Sequence, residues 1–285
     1  MVIFQRFLKG TQSVAELLKI KKYLASGSRP WTLGYNDYKG MVLRHVLNDK
    51  EVLDCFLHNR ALPIRYGFRL DERLVEYPWA LSRLDVAERL LLDAGSTLNF
   101  GYILDLPPLK CRSVVIYNLS PENVVRRDKV SYIYGDLRHT ILKDECFDEI
   151  MCISTLEHVG MDNTFLYSKD LRFRECKRDD YRDVVRELKR LLKPGGKLFI
   201  TVPYGRHENH GWLQQFDKKM VETVVDVFGG SASTISYYKY SADGWQVADA
   251  DACDECSYFD IHHRSGYEPD YVAAARAVAC MEMAK

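Results

Sequence analysis

The sequence predicts an α/β protein: a doubly wound, mainly parallel sheet of seven strands, preceded by a mostly helical lobe. Three observations lead there. Short apolar runs alternate with amphipathic helical stretches over residues 86–285, the pattern of strands joined by crossover helices. One run, Leu90-Leu-Leu-Asp, is apolar without alternation, as suits a strand covered on both faces. A Pro194-Gly195-Gly196 turn separates a helical stripe from the apolar run Lys197-Leu-Phe-Ile-Thr-Val.

Each element has its own reason. Within residues 1–85, Val14, Leu17 and Leu18, and then Val42, Leu43, Val46 and Leu47, recur at helical spacing around the turn-rich stretch Arg29-Pro-Trp-Thr-Leu-Gly-Tyr. After the first strand, residues 96–112 leave room for about two or three helical turns. Ser113-Val-Val-Ile-Tyr, Ser131-Tyr-Ile-Tyr and Phe147-Asp-Glu-Ile-Met-Cys-Ile read as the next three strands. Tyr181, Val184, Val185, Leu188, Leu191 and Leu192 form one helical stripe. Asp217 suits an N-cap, with Phe216 and Val221 as a hydrophobic staple. Ser233-Thr-Ile-Ser-Tyr-Tyr and Ala275-Arg-Ala-Val-Ala-Cys-Met complete the seven strands.

Composition narrows the function classes. With 285 residues and 47% apolar content, the chain can bury a large core without disulfides. Forty basic residues balance forty acidic ones, and without a basic stripe a nucleic-acid substrate is disfavoured. Eight scattered cysteines fit reduced thiols, hence a cytoplasmic protein. No run approaches the ~18 apolar residues of a spanning helix, so a soluble chain is expected. Over residues 1–44, eight basic residues face only Glu16 and Asp37. Such a start can touch a membrane surface or simply form a solvated helix face.

Two segments resemble the class I S-adenosylmethionine-dependent methyltransferase family. Phe147-Asp-Glu-Ile-Met-Cys-Ile-Ser-Thr-Leu-Glu-His-Val resembles its fourth strand and following loop. Glu187-Leu-Lys-Arg-Leu-Leu-Lys-Pro-Gly-Gly-Lys-Leu-Phe-Ile resembles its next helix, turn and fifth strand. The resemblance implies S-adenosylmethionine as cofactor and sites beyond the carboxyl ends of the strands. It assigns Asp93, Gly95 and Asn99 to the cofactor turn, Asn118 to the ribose, Asp136 and the Leu137 N–H to the adenine, and Ser154 and Glu157 to the methionine end. The turn Asp93-Ala-Gly95-Ser-Thr97-Leu-Asn99 departs from the family, with Thr97 and Asn99 where glycine is usual. Thr97 tolerates a left-handed backbone poorly. Asn118 replaces an acid, losing charge assistance toward ribose hydroxyls.

For chemistry, His158 is the candidate base, although a histidine there also packs against a sheet and bonds a carbonyl. Tyr204, His207 and His210 follow the fifth strand in a polar loop expected to face the substrate. The 71–81 segment is a further substrate-side candidate, although its Tyr77 and Trp79 read as core anchors of the lobe. Cys253 and Cys256, with His262 and His263 downstream, fall short of a second tight ligand pair, so no metal is assigned. The expected activity is methyl transfer to an oxygen or nitrogen of a small molecule or saccharide. The alternatives are a non-catalytic binding protein of the same fold and a nicotinamide enzyme. The nicotinamide enzyme lacks its Gly-x-Gly-x-x-Gly turn.

Overall fold

The computed structural model describes residues 13–167 and 170–285. The chain begins with α1 (Val14–Ala25), α2 (Tyr35–Val46), α3 (Lys50–Leu57) and α4 (Arg73–Leu81). Ser13 starts α1 with a capping box to Glu16, which pairs two otherwise open backbone donors. The basic start of the chain lies partly in residues 1–12, outside the described residues.

The alternating part follows. It comprises β1 (Leu90–Ala94), short helices α5 (Gly101–Leu104) and α6 (Pro107–Cys111), β2 (Ser113–Asn118), β3 (Val130–Tyr134), β4 (Phe147–Ile153), α7 (Tyr181–Leu191) and β5 (Leu192–Pro203). Next come β6 (Glu208–Asn209), β7 (Gln214–Gln215), α8 (Lys218–Phe228), β8 (Ala232–Ser241), β9 (Gly244–Ala248), α9 (Ala250–Cys253) and β10 (Ala277–Ala284). The main sheet has the order β3-β2-β1-β4-β5-β10-β8-β9. Strands β1 to β5 run parallel. β10 is inserted antiparallel between β5 and β8, and β9 returns antiparallel along β8.

The sheet therefore has eight strands rather than the expected seven. The additional strand is β9, whose Gly244-Trp-Gln-Val-Ala is too short for a periodic signal. α7 ends at Leu191, one residue short of its stripe, and β5 starts at Leu192 and runs through the Pro194-Gly195-Gly196 expected to separate the two. The pairing slips between Phe147 and Glu149 to accommodate the turn. Asp217 caps α8 through the Met220 N–H at 2.8 Å, a contact worth about 1 kcal/mol. Phe216 and Val221 are both buried beside it.

Two apolar clusters cover the sheet. One joins Tyr23, Tyr35 and Phe56 of the helical lobe to Leu91, Met151 and Phe199 of the strands. Trp79 on α4 meets Phe199 edge-on, with ring centroids 6.1 Å apart, and is buried with Tyr77 as expected of core anchors. At the amino ends of the strands, the buried Arg112 donates to both oxygens of Glu149 at 2.6 and 2.9 Å. That bidentate pair ties the start of β2 to β4 and leaves the opposite, carboxyl edge for ligands. None of the described helices is long and apolar enough to cross a membrane.

Candidate functional site

The parallel order reverses direction between β1 and β4, and a crevice is expected beyond their carboxyl ends. A cleft of about 230 Å³, open to solvent, lies there. Its wall takes Gly95 and Thr97 after β1, Asn118 after β2, Asp136 to Arg138 after β3, and Ser154 and His158 after β4. Arg73 closes one side from the first turn of α4. The segment carrying Asn163, Leu166 and Tyr167 closes another.

The turn after β1 is built by Asp93. Its carboxylate accepts the Thr97 N–H at 3.1 Å, the Thr97 hydroxyl at 3.2 Å and the Leu98 N–H at 2.8 Å. Burial pushes the Asp93 carboxyl up to about 7 against those three donors. Asp93 thus shapes the turn from behind and does not line the cleft, a correction to its expected contact role. Gly95 does line it, at φ +121°. A Cβ there would overlap the Thr155 side chain, so close packing as well as φ requires glycine. The expected strain at Thr97 is absent, because the left-handed residues are Gly95 and Ser96. Asn99 also lies outside the wall. Its amide donates to the Asn123 carbonyl and accepts from the Val125 N–H and the Tyr132 hydroxyl, pinning the segment before β3.

Asn118 ends β2 in the cleft wall, its Oδ1 accepting the Leu119 N–H at 2.9 Å and the Tyr167 hydroxyl at 3.0 Å. Asp136 is also in the wall, but Arg138 occupies its carboxylate. Partial burial raises the Asp136 carboxyl, and the Arg138 bonds outweigh this and hold it below the usual range. Arg138 also bridges to Glu175 and Asp180. The Leu137 N–H has no protein acceptor among the described residues, and Asn163 Oδ1 is likewise buried without a donor. Both residues line the cleft.

Ser154 sits at φ +45° and gives its hydroxyl proton to Glu157 at 2.6 Å. Glu157 is 2% exposed and behind the wall rather than in it. Burial pushes its carboxyl up to about 8. His158 is in the wall. Its Nδ1–H donates to the Trp212 carbonyl at 2.9 Å, so the neutral ring keeps its lone pair on Nε2. Burial pushes its pKa down to about 4.

The loop after β5 behaves differently from expectation. Tyr204 is fully buried in the core and donates its hydroxyl to Asp254. Its backbone N–H bonds the Ala277 carbonyl, which carries the sheet past β5 and turns the ring away from the crevice. His207 is bound through Nδ1 to the Gln215 carbonyl at 3.0 Å, across the β6–β7 ribbon, and is absent from the wall. His210 lines a second hollow of about 270 Å³ with Phe165, Trp212, His262 and His263. The tilted His158–Trp212 ring pair, centroids 5.3 Å apart, stands between the two hollows. Cys253 and Cys256 are buried in the apolar cluster that carries Tyr204. Among the described residues no group of three or more His, Cys, Asp or Glu side chains is arranged for a metal.

The sequence reading missed Arg138, Asn163 and Tyr167, and reached Arg73 only as part of the 71–81 segment. Arg138 had a signal, since Asp136-x-Arg138 puts a cation two residues from the acid. Asn163 and Tyr167 come from a segment beyond the strand ends, and nothing local marks them.

No curated protein matches the sequence. Residues 92–200 match the family model described as a methyltransferase domain. Among solved structures, the chain is similar to one from a complex between the Haloferax volcanii Trm112 methyltransferase activator and a methyltransferase. That match has 18% identity over 73% of this chain and 88% of that chain, with a TM-score of 0.45. It is also similar to a Thermotoga maritima S-adenosylmethionine-dependent methyltransferase, at 16% identity over 85% and 99% of the two chains, TM-score 0.44. A third is the Burkholderia thailandensis 1,6-didemethyltoxoflavin-N1-methyltransferase, solved with S-adenosylhomocysteine, at 14% identity over 70% and 72%, TM-score 0.40. The family match begins inside β1, ends inside β5 and includes every cleft-lining turn after β1 to β4. Over residues 92–200 the chain is thus similar to methyltransferase domains.

Proposed function

We propose that this protein transfers a methyl group from S-adenosylmethionine to an oxygen or nitrogen of a small molecule or saccharide. The observation that carries the reading is the pair of unsatisfied groups in the cleft wall, the Leu137 N–H and Asn163 Oδ1. Adenine needs one donor for a ring nitrogen and one acceptor for its exocyclic amine, and this pair supplies both. Asn163 thereby takes the acceptor role first given to Asp136, whose carboxylate is held by Arg138. Asn118 faces the ribose, and Gly95 and Ser154 border the methionine end. Arg73 spends one of its donors on Glu76, leaving others for the methionine carboxylate.

When bound, S-adenosylmethionine supplies an electrophilic methyl group on a sulfonium. The chain's own part is to orient the acceptor and manage its proton. His158 is the candidate base, held in one tautomer by Trp212 and neutral at pH 7 because burial keeps its pKa near 4. The second hollow, with Phe165, Trp212, His210 and His262, offers ring faces and polar edges to a small acceptor.

Two measurements test the reading. S-adenosylhomocysteine should raise the melting temperature by mass action, and absence of a shift at millimolar ligand in folded protein would favour the non-catalytic alternative. With an acceptor identified from a panel of small molecules and saccharides, His158→Ala should lower turnover on the order of 10²–10⁴-fold while cofactor affinity holds. Near-normal turnover in stable protein would remove His158 from the chemistry.

A further inference from the structure

The interior behind the cleft wall holds more carboxyl groups than cations. Glu72 just before α4, Glu76 within it and Glu157 in the turn after β4 are exposed by only 8%, 0% and 2%. Glu76 is matched: it pairs with Arg73 and accepts the Thr201 hydroxyl at 2.8 Å. Glu72 accepts only the Ala275 N–H at 3.2 Å through its side chain. Glu157 accepts the Ser154 hydroxyl on Oε1, and its Oε2 is buried with no partner among the described residues. An ionised carboxylate with a bare, buried oxygen is strongly disfavoured unless a cation joins it. The groups facing Glu157 are Glu76 and Arg73 from α4, Ser154 and Cys152 at the end of β4, and Tyr258 from the loop before β10. Glu72 faces the same Tyr258. Arg73, the one cation in this set, already answers Glu76.

We propose that Glu157 makes the cleft selective for a positively charged occupant, holding a proton while the cleft is empty and giving it to solvent when a cation seats beside Ser154. This rests on the cofactor reading above, in which the cation is the sulfonium of S-adenosylmethionine. The proton leaves the Glu157 carboxyl for the buffer, and no other bond is made or broken. After transfer the occupant is S-adenosylhomocysteine, whose sulfur is neutral. Glu157 then takes its proton back, and the product is held less tightly than the donor.

The test is titration calorimetry at pH 7 in two buffers of different ionisation enthalpy. The probes are S-adenosylmethionine, the amine-bearing cationic analogue sinefungin, and S-adenosylhomocysteine. The two cationic ligands should release most of one proton per site and the neutral one little. Affinity for the cations should therefore rise with pH across neutrality. Glu157→Gln keeps the bond from Ser154 but has no proton to give. It should abolish the release and cut the preference for S-adenosylmethionine over S-adenosylhomocysteine roughly tenfold or more. Buffer-independent heats for ligands that all bind, or an unchanged preference in Glu157→Gln, would overturn the inference alone. Failure of all three ligands to bind folded protein would overturn the cofactor reading and this inference with it.

Discussion

The most informative single substitution is Asn118→Asp, because the structure fixes what each side-chain atom would do. Asn118 is buried at the end of β2. Both its neighbours on Oδ1, the Leu119 N–H and the Tyr167 hydroxyl, are donors, so a carboxylate keeps both bonds. The second oxygen would replace Nδ2, which bonds no protein acceptor among the described residues. The acid across the wall, Asp136, is already neutralised by Arg138, which limits repulsion. A neutral hydrogen bond contributes about 1 kcal/mol net, and a charge-assisted one roughly twice that. Exchanging amide for carboxylate against ribose hydroxyls should therefore gain about 1–2 kcal/mol, or roughly tenfold in affinity for S-adenosylhomocysteine. The buried charge should cost the empty protein on the order of 1 kcal/mol, visible as a lower melting point that ligand restores. Calorimetry and thermal melts on the one variant read both numbers. A clear loss of affinity in folded protein would mean that Nδ2 donates to the ligand, or that the ribose lies elsewhere.

Three further outcomes follow from the same geometry. His158 stays neutral in the folded state down to about pH 4 but takes a proton near 6.5 when unfolded, so unfolding binds a proton in that window. Stability should drop by about 3 kcal/mol as pH falls from 6.5 to 4, and chemical denaturation of His158→Gln should show that much less slope. Gly95→Ala should lower the melting temperature and S-adenosylhomocysteine affinity together, costing about 2 kcal/mol or more for the φ and the clash with Thr155; pairing it with Thr155→Gly should recover part of the loss. Tyr204→Phe should cost about 1 kcal/mol through the lost Asp254 bond and leave ligand affinity within about twofold by calorimetry.

The strands nearest the cleft were legible because they are buried on both faces. Leu90–Ala94 and Phe147–Ile153 are runs of apolar residues with no competing helical period. β9 was not legible from its five residues, yet the Asp243-Gly244 pair at its start is a hairpin signal. Sequence reading put into the cleft wall those residues whose own strand end decides their direction, as at Gly95, Asn118, Leu137 and Ser154. It failed where a partner from another segment claims the side chain. Asp254 takes the Tyr204 hydroxyl, and the 123–125 segment takes Asn99. A sequence pattern carries the direction of a side chain, whereas such claims depend on which loops meet in space.

The same distinction explains how the turn after β1 dispenses with glycine at two positions. A glycine-rich turn gets its shape from backbone freedom, at an entropic cost on folding. Here side chains impose the shape. Asp93 gathers the Thr97 and Leu98 N–H groups, the Thr97 hydroxyl returns to Asp93, and the Tyr77 hydroxyl holds the Thr97 carbonyl at 2.7 Å. Asn99 then anchors the neighbouring segment through three bonds. Left-handed backbone is needed only at Gly95 and Ser96, so Thr97 and Asn99 are free to carry functional side chains. Tyr77 comes from α4, which also supplies Arg73 to the cleft wall. The helical lobe is therefore joined to the turn after β1 by a specific bond as well as by apolar packing. Loosening α4 should disturb the turn before it disturbs the strands.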